Sequence, residues 1–371
     1  MKMTTRFRFF SVTGLLLLAL LGCSEKPLSE QVTATHPQVS VQLWSVKDEV
    51  KADFIGTLQQ LADMGFKGVE FAGEFGEFAK AYLVFKANGI AVDIASPNGG
   101  KVEADEYDPS KPYNERVLTD TAIMEKLNNT IATDKIDAKA YDAIFIVGGK
   151  GAMFDLPKDE ALKSVIADIY QQQGTVAAVC HGPAALVDVK LKDGSYLVAN
   201  KTINGFTNKE EKLFGQKWLS KFEFMLEDKL IERGAKFQSS EIMLSHVAVD
   251  GRLITGQNPT ATVNVATELV KGLGLTPVIE KQDIDDKTLA VVAKVLAGDK
   301  SAAKILATHQ EQYNIALVGM YGFYYLKTAK TDEHFENALT LMTVAQKTIN
   351  KPILDMKIAK TQHKLGKASD A

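Results

Sequence analysis

With 371 residues the chain is too long for one ordinary domain and long enough for two. Its 46% apolar and 24% charged residues are the balance of a globular protein rather than a disordered or fibrous one. A net charge of −3, with no basic patch, gives no reason to expect a nucleic-acid partner.

The first segment reads as an address. Lys2, Arg6 and Arg8 precede the apolar run Phe9 to Leu21, which is too short to span a bilayer as a stable helix. It ends in Leu20-Leu21-Gly22-Cys23, which resembles a bacterial lipobox. That resemblance implies cleavage before Cys23 and its lipidation, giving a lipoprotein held to a membrane by its anchor. Ser24 at the next position implies the outer membrane, on its periplasmic side. An ordinary secretory signal is the alternative. Residues 24–38 are polar and read as a tether.

Residues 39–76 carry a β-α-β pattern: a strand over Val39–Val46, an amphipathic helix over Ala52–Met64 and a strand over Gly68–Ala72. The runs Gln42-Leu43-Trp44-Ser45-Val46 and Met64 to Gly73 resemble the start of a sugar-phosphate isomerase/epimerase barrel. A complete barrel needs about 250 residues, and nothing downstream continues this one. The unit therefore reads as a fragment without barrel activity.

Residues 77–275 alternate helices and strands. Tyr82–Asn88 reads as a helix and Ile90–Ala95 as a strand ending in Ser96-Pro97-Asn98-Gly99-Gly100. Asn114–Asn128 is helix-rich, and Ala143–Val147 is a short apolar strand ending at Gly148-Gly149. A helix over Asp159–Gln172 leads to a strand over Thr175–Val179. A hairpin around Gly251 and a helix over Thr260–Leu273 follow. The pattern predicts an α/β fold with a doubly wound, mostly parallel sheet sandwiched by helices, its site at the carboxyl ends of the strands. Residues 276–371 read as an all-helical extension, with helices over Leu289–Leu296, Ala302–Gln312, Ile315–Thr328, His334–Thr348 and Ile353–Leu365. They look faintly like helix-pair repeats, but without a fixed period.

The most informative run is Ala177-Ala178-Val179-Cys180-His181-Gly182-Pro183. A strand enters it, a helix-like run starts at Ala184, and small residues flank the cysteine at minus two and plus two. This is a nucleophile-elbow pattern, which raises one reactive side chain above the sheet edge. A helix N-terminus beyond it predicts a favoured thiolate. With Cys23 lipidated, Cys180 has no disulfide partner in the chain.

Residues 77–273 resemble the ThiJ/PfpI superfamily, in its glyoxalase III and heat-shock-chaperone branch, with a flavodoxin-like, glutamine-amidotransferase-like fold. Five ordered segments carry the resemblance: Ile94 to Gly100, Tyr141 to Gly149, Ala178 to Pro183, Gly205 to Glu211 and Asp250 to Pro259. It implies Cys180 as nucleophile and His181 as proton carrier. It implies an acid partner at Glu211, with Glu210 as the near miss. Both glutamates also fit a solvated helix start, because Thr207-x-x-Glu210 reads as a capping box. The amides of Gly149 and His181 are the implied oxyanion donors, and Lys150 stands where many relatives carry histidine. A buried glutamate beside the thiol is implied at Glu77, with Glu74 as the alternative. The usual first strand is missing, so whether Glu77 reaches Cys180 is the open point.

The resemblance implies a cysteine-dependent, lyase-type enzyme that converts methylglyoxal-like aldehydes to 2-hydroxy acids without glutathione, metal or organic cofactor. The alternatives are a holding chaperone or stress protein, an amidase- or protease-like hydrolase, and a degenerate binding fold. A homodimer is common in such families.

Overall fold

The computed structural model describes residues 40–42, 68–70, 76–102, 108–278 and 282–367. The signal-like segment with Cys23, the tether, the helix expected over Ala52–Met64, and Glu74 lie outside them. Strands β1 (Ser40–Gln42) and β2 (Gly68–Glu70) pair in parallel, as a β-α-β unit requires.

Helix α1 (Glu77–Ala87) begins five residues before the start read at Tyr82, which puts Glu77 in its first turn. The strand expected over Ile90–Ala95 shrinks to β3 (Ala95–Ser96), whose parallel partner β4 (Ile131–Ala132) is equally short. Upstream, the carbonyl of Val92 accepts the Lys126 ammonium instead of a ladder amide. Between them the helix expected over Asn114–Asn128 is two, α2 (Pro112–Leu118) and α3 (Thr121–Asn128). Asp120 makes the break: its carboxylate caps α3 by accepting the amides of Ala122 and Ile123 at 3.0 and 3.2 Å.

Strand β5 (Ala143–Ile146) leads through α4 (Glu160–Gln171), capped by Asp159, to β6 (Thr175–Val179). Strand β7 (Thr202–Ile203) is followed by α5 (Asn208–Phe214), α6 (Gln216–Leu219) and α7 (Leu226–Glu232), then β8 (Lys236–Phe237), its parallel partner. The hairpin β9 (Val247–Asp250) and β10 (Leu253–Gly256) completes the main sheet, and α8 (Thr262–Gly272) packs on β6 and β10. The order is β5–β6–β10–β9, parallel except for β9. Every residue of β6 is buried, which is why Thr-Val-Ala-Ala-Val shows no alternation: a central strand covered on both faces needs none.

The extension forms α9 (Ile284–Leu296), α10 (Lys300–Thr308), α11 (Ile315–Thr328), α12 (Asp332–Ile349) and α13 (Pro352–Lys364). Its apolar faces enclose a second core around Val292, Leu306, Val318, Leu341 and Met342. Ile242 and Leu244, from the loop before β9, insert into that core, and the Tyr321 hydroxyl donates to the Ile242 carbonyl at 2.9 Å. Helices α11 and α12 touch closely because Gly319 and Gly322 have no Cβ. A Cβ on Gly319 would stand 2.7 Å from the Ala345 Cβ. Among the described residues no helix is long and apolar enough to cross a membrane.

Candidate active site

Cys180 terminates β6 with φ +61°, the left-handed region that costs a residue with a Cβ roughly 1–2 kcal/mol. Two backbone bonds fix this strained turn. The Cys180 amide donates to the Gly256 carbonyl at 2.9 Å, and its carbonyl accepts the Phe206 amide at 2.8 Å. The small flanking residues are needed sterically. Ala178 is fully buried, and a Cβ on Gly182 would lie 2.5 Å from the Ile146 carbonyl oxygen. The helix-like run read from Ala184 is a short 3₁₀ helix, Gly182–Leu186. Pro183, without an amide, removes one of the donors such a helix start would present.

The expectation of a favoured thiolate is corrected with it. Burial first, and then the Glu77 carboxylate, push the Cys180 thiol well above its ordinary range. The amides of Gly149 and His181 donate to the sulfur and pull the other way. In the resting site the thiol is therefore the favoured form.

His181 Nδ1 lies 3.3 Å from Cys180 Sγ, and Nε2 lies 2.7 Å from Glu211 Oε2. Neither partner meets solvent, with His181 2% and Glu211 4% exposed. The Phe206 ring packs on the imidazole with centroids 4.4 Å apart, which locks the plane that presents both nitrogens. Cys180, His181 and Glu211 thus form a connected line.

Glu210 points elsewhere. Its side chain closes the capping box with Thr207 through Oε2, while Oε1 accepts from Met243 N, Gln257 Nε2 and Asn258 Nδ2 at 2.7, 3.0 and 2.9 Å. The solvated reading of the two glutamates is therefore overturned: both are buried, and the capping box coexists with a polar network. Nothing in the local sequence around Glu210 announces that network, although Gln257-Asn258 lies within the segment Asp250 to Pro259.

Glu77 reaches the thiol. Its Oε2 accepts the Gly148 amide at 2.9 Å, and the carboxyl hydrogen-bonds Cys180. Burial raises its pKa to about 7, against the lowering effect of those bonds and of Lys80. Gly148 has to be glycine here. A Cβ would stand 2.5 Å from Glu77 Oε2 and 2.7 Å from Cys180 Cβ. The next residue, Gly149, turns with φ +91° so that its amide faces the sulfur, and Lys150 begins a 3₁₀ turn beyond it. Among the described residues no cluster of His, Cys, Asp or Glu is arranged to hold a metal ion.

The model of the DJ-1/PfpI family matches residues 72–272. The chain belongs to that family. A glutathione-independent glyoxalase of Schizosaccharomyces pombe is 31% identical over 210 residues, covering 54% of this chain and 88% of that one. A glutathione-independent glyoxalase of Saccharomyces cerevisiae is 33% identical over 204 residues, covering 52% and 85%. Among solved structures, the 24 kDa rapid encystment protein of Francisella tularensis aligns with TM-score 0.50 at 34% identity, over 53% of this chain and 88% of that one. Glyoxalase III of Candida albicans aligns with TM-score 0.50 at 25% identity, over 53% and 86%. The main sheet and its helices are thus the flavodoxin-like α/β fold of DJ-1/PfpI proteins, and helices α9–α13 lie beyond the family match.

Proposed function

We propose that this chain is a glutathione-independent glyoxalase that converts methylglyoxal-type 2-oxoaldehydes to 2-hydroxy acids. The observation that carries the reading is Glu77, held between the Gly148 amide and the Cys180 thiol with a pKa of about 7. A group that must both take and return a proton at neutral pH works best there.

The sulfur attacks the aldehyde carbon C1, and the thiol proton passes through His181 to the former aldehyde oxygen. The amides of Gly149 and His181 receive the charge that develops on that oxygen. Glu77 then removes the C1 proton. The released pair forms the C1–C2 double bond, and the ketone oxygen takes the hydroxyl proton relayed by His181, giving an enediolate with its charge on the C1 oxygen. Glu77 returns its proton to C2 as the C1 carbonyl re-forms, leaving a thioester on Cys180. Water attacks C1, the carbon–sulfur bond breaks, and the thiol recovers a proton from the water. Aldehyde carbon is oxidised and ketone carbon reduced, so no external electrons are needed.

The test supplies methylglyoxal without glutathione to the purified protein and to its Cys180→Ala and Glu77→Gln variants. Lactate from the parent, lost at least about 10²-fold in both variants, supports the reading. No lactate from folded parent protein overturns it.

We further propose that the mature chain is anchored by lipid on Cys23, on the strength of the Leu20-Leu21-Gly22-Cys23 pattern. Cells fed radiolabelled palmitate should label the parent and not Cys23→Ala. Label retained in the variant overturns the anchor.

A further inference from the structure

Helix α1 carries Glu77, and the segment that leads out of the α/β region holds this helix near both ends. One turn beyond Glu77, the Lys80 ammonium forms a two-pronged pair with Asp286, on the first turn of α9, at 2.7 and 2.8 Å. The pair is largely buried, with side chains 5% and 15% exposed. At the other end, Asn88 exchanges two hydrogen bonds with the Val278 backbone at 2.6 and 3.3 Å. Next to the first contact, Lys111 pairs with Asp285 at 3.0 Å. These ties join residues up to 206 positions apart.

We propose that the helical extension is a working part of the Cys180 site: Asp286, by pairing with Lys80, fixes where Glu77 stands and how much positive charge it feels. The inference deepens the glyoxalase reading by naming what controls its proton carrier.

The chemistry follows from charge placed in a poorly screened interior. Glu77 faces Cys180 from the end of β6, the Gly148 amide from the turn after β5, and Lys80 from its own helix. Around Lys80 stand Asp286 from α9 and the Tyr113 ring from α2, 4.8 Å from the ammonium. Asp283 and Asp285 flank Asp286 in turn. Lys80 favours an ionised Glu77, and the paired Asp286 carboxylate opposes that cation's field. Neutralising Asp286 leaves the cation uncompensated, which favours the Glu77 carboxylate. Removing the Lys80 charge leaves Asp286, which favours the protonated acid. Asp286 is accordingly a positioning residue, acting through Lys80.

The experiment follows the side-chain carboxyl carbon of Glu77 by NMR in glutamate-labelled full-length protein, assigned by the signal missing from Glu77→Gln. Its titration midpoint should fall by about half a pH unit or more in Asp286→Asn and rise by a similar amount in Lys80→Met. Lys80→Arg, which keeps the charge, should return it to the parent value. Circular dichroism verifies folding of each variant, and Asp286→Asn and Lys80→Met are close in size to the native residues. Midpoints unmoved in Asp286→Asn and Lys80→Met, or moved in the same direction in both as simple loosening would do, overturn the proposal. The readout does not depend on lactate. A protein that makes none can still show opposed shifts, and one that makes lactate without them overturns only this inference.

Discussion

The imidazole of His181 bridges Cys180 and Glu211, with Nδ1 3.3 Å from the sulfur and Nε2 2.7 Å from Glu211 Oε2. The second bond decides which nitrogen carries a proton and how the ring sits. The other oxygen of Glu211, Oε1, has no hydrogen-bond partner among the described residues and fills the space a Cβ on Gly215 would take. Glu211→Gln keeps the shape but can place an amide nitrogen where only an acceptor serves. It should cost about 1–3 kcal/mol of stability, read by urea denaturation. Lactate formation should fall at least about tenfold, with kcat affected more than KM.

Gly148 tests how closely Glu77 has to approach. In Gly148→Ala the new methyl meets Glu77 Oε2, the Val179 carbonyl and Cys180 Cβ at 2.5, 2.6 and 2.7 Å. Two of these obstacles are attached directly to the elbow, so the carboxyl is the one that moves. A loss of about 1–3 kcal/mol is expected from the overpacking. Lactate formation should drop further than that of a Gly151→Ala control, whose Cβ would meet nothing and whose φ is not in the left-handed region.

Stability should depend on pH through Glu77. Its carboxyl has a pKa of about 7 in the folded protein and 4.5 as the ordinary value, so the folded state holds the proton over that window and the unfolded state does not. Its contribution is complete below pH 4.5 and is lost as pH rises through 7, amounting to about 3 kcal/mol at most. Thermal melts of the parent should therefore fall from pH 5 to pH 8 relative to Glu77→Gln. Parallel curves would contradict the raised pKa.

The helical core makes a separate prediction. Gly319→Val puts a branched side chain where a Cβ alone would lie 2.7 Å from both the Ala345 Cβ and the Ile349 Cδ1. Helices α11 and α12 would have to separate, at about 1–3 kcal/mol, read as a lower thermal midpoint. Ala345→Gly in the same chain should recover part of the loss, because it vacates one side of the clash.

The elbow was legible in the sequence because its constraint is local: a buried strand, a tight turn and small neighbours all fall within seven residues. Strand β6 accordingly runs over Thr175–Val179 as read. Glu211 is legible only through the resemblance, on the segment Gly205 to Glu211. The solvated alternative for Glu210 fails because its partners Met243, Gln257 and Asn258 arrive from 33 to 48 residues away, beyond any local pattern. The thiolate expectation failed for a related reason. A helix after Pro183 suggested a favourable field, while the enclosing side chains, including Glu77 from far upstream, set the opposite balance. The strand over Ile90–Ala95 was overcalled because its apolar alternation is real but its pairing strand is two residues long.

The contact between Lys80 and Asp286 also bears on the order in which the chain is made. A ribosome exposes Glu77 and Cys180 long before α9 emerges, so every residue of the catalytic line exists while Lys80 still lacks its carboxylate. Closing a loop of 206 residues is among the slowest kinds of contact to form, since its entropy is lost before any reward arrives. A nascent or prematurely ended chain would carry the Lys80 ammonium without the Asp286 carboxylate that ties α1 to α9, and α1 would be held less firmly there. Competence is thereby tied to completion: the last quarter of the translated message decides whether the first helix of the family domain stays in place.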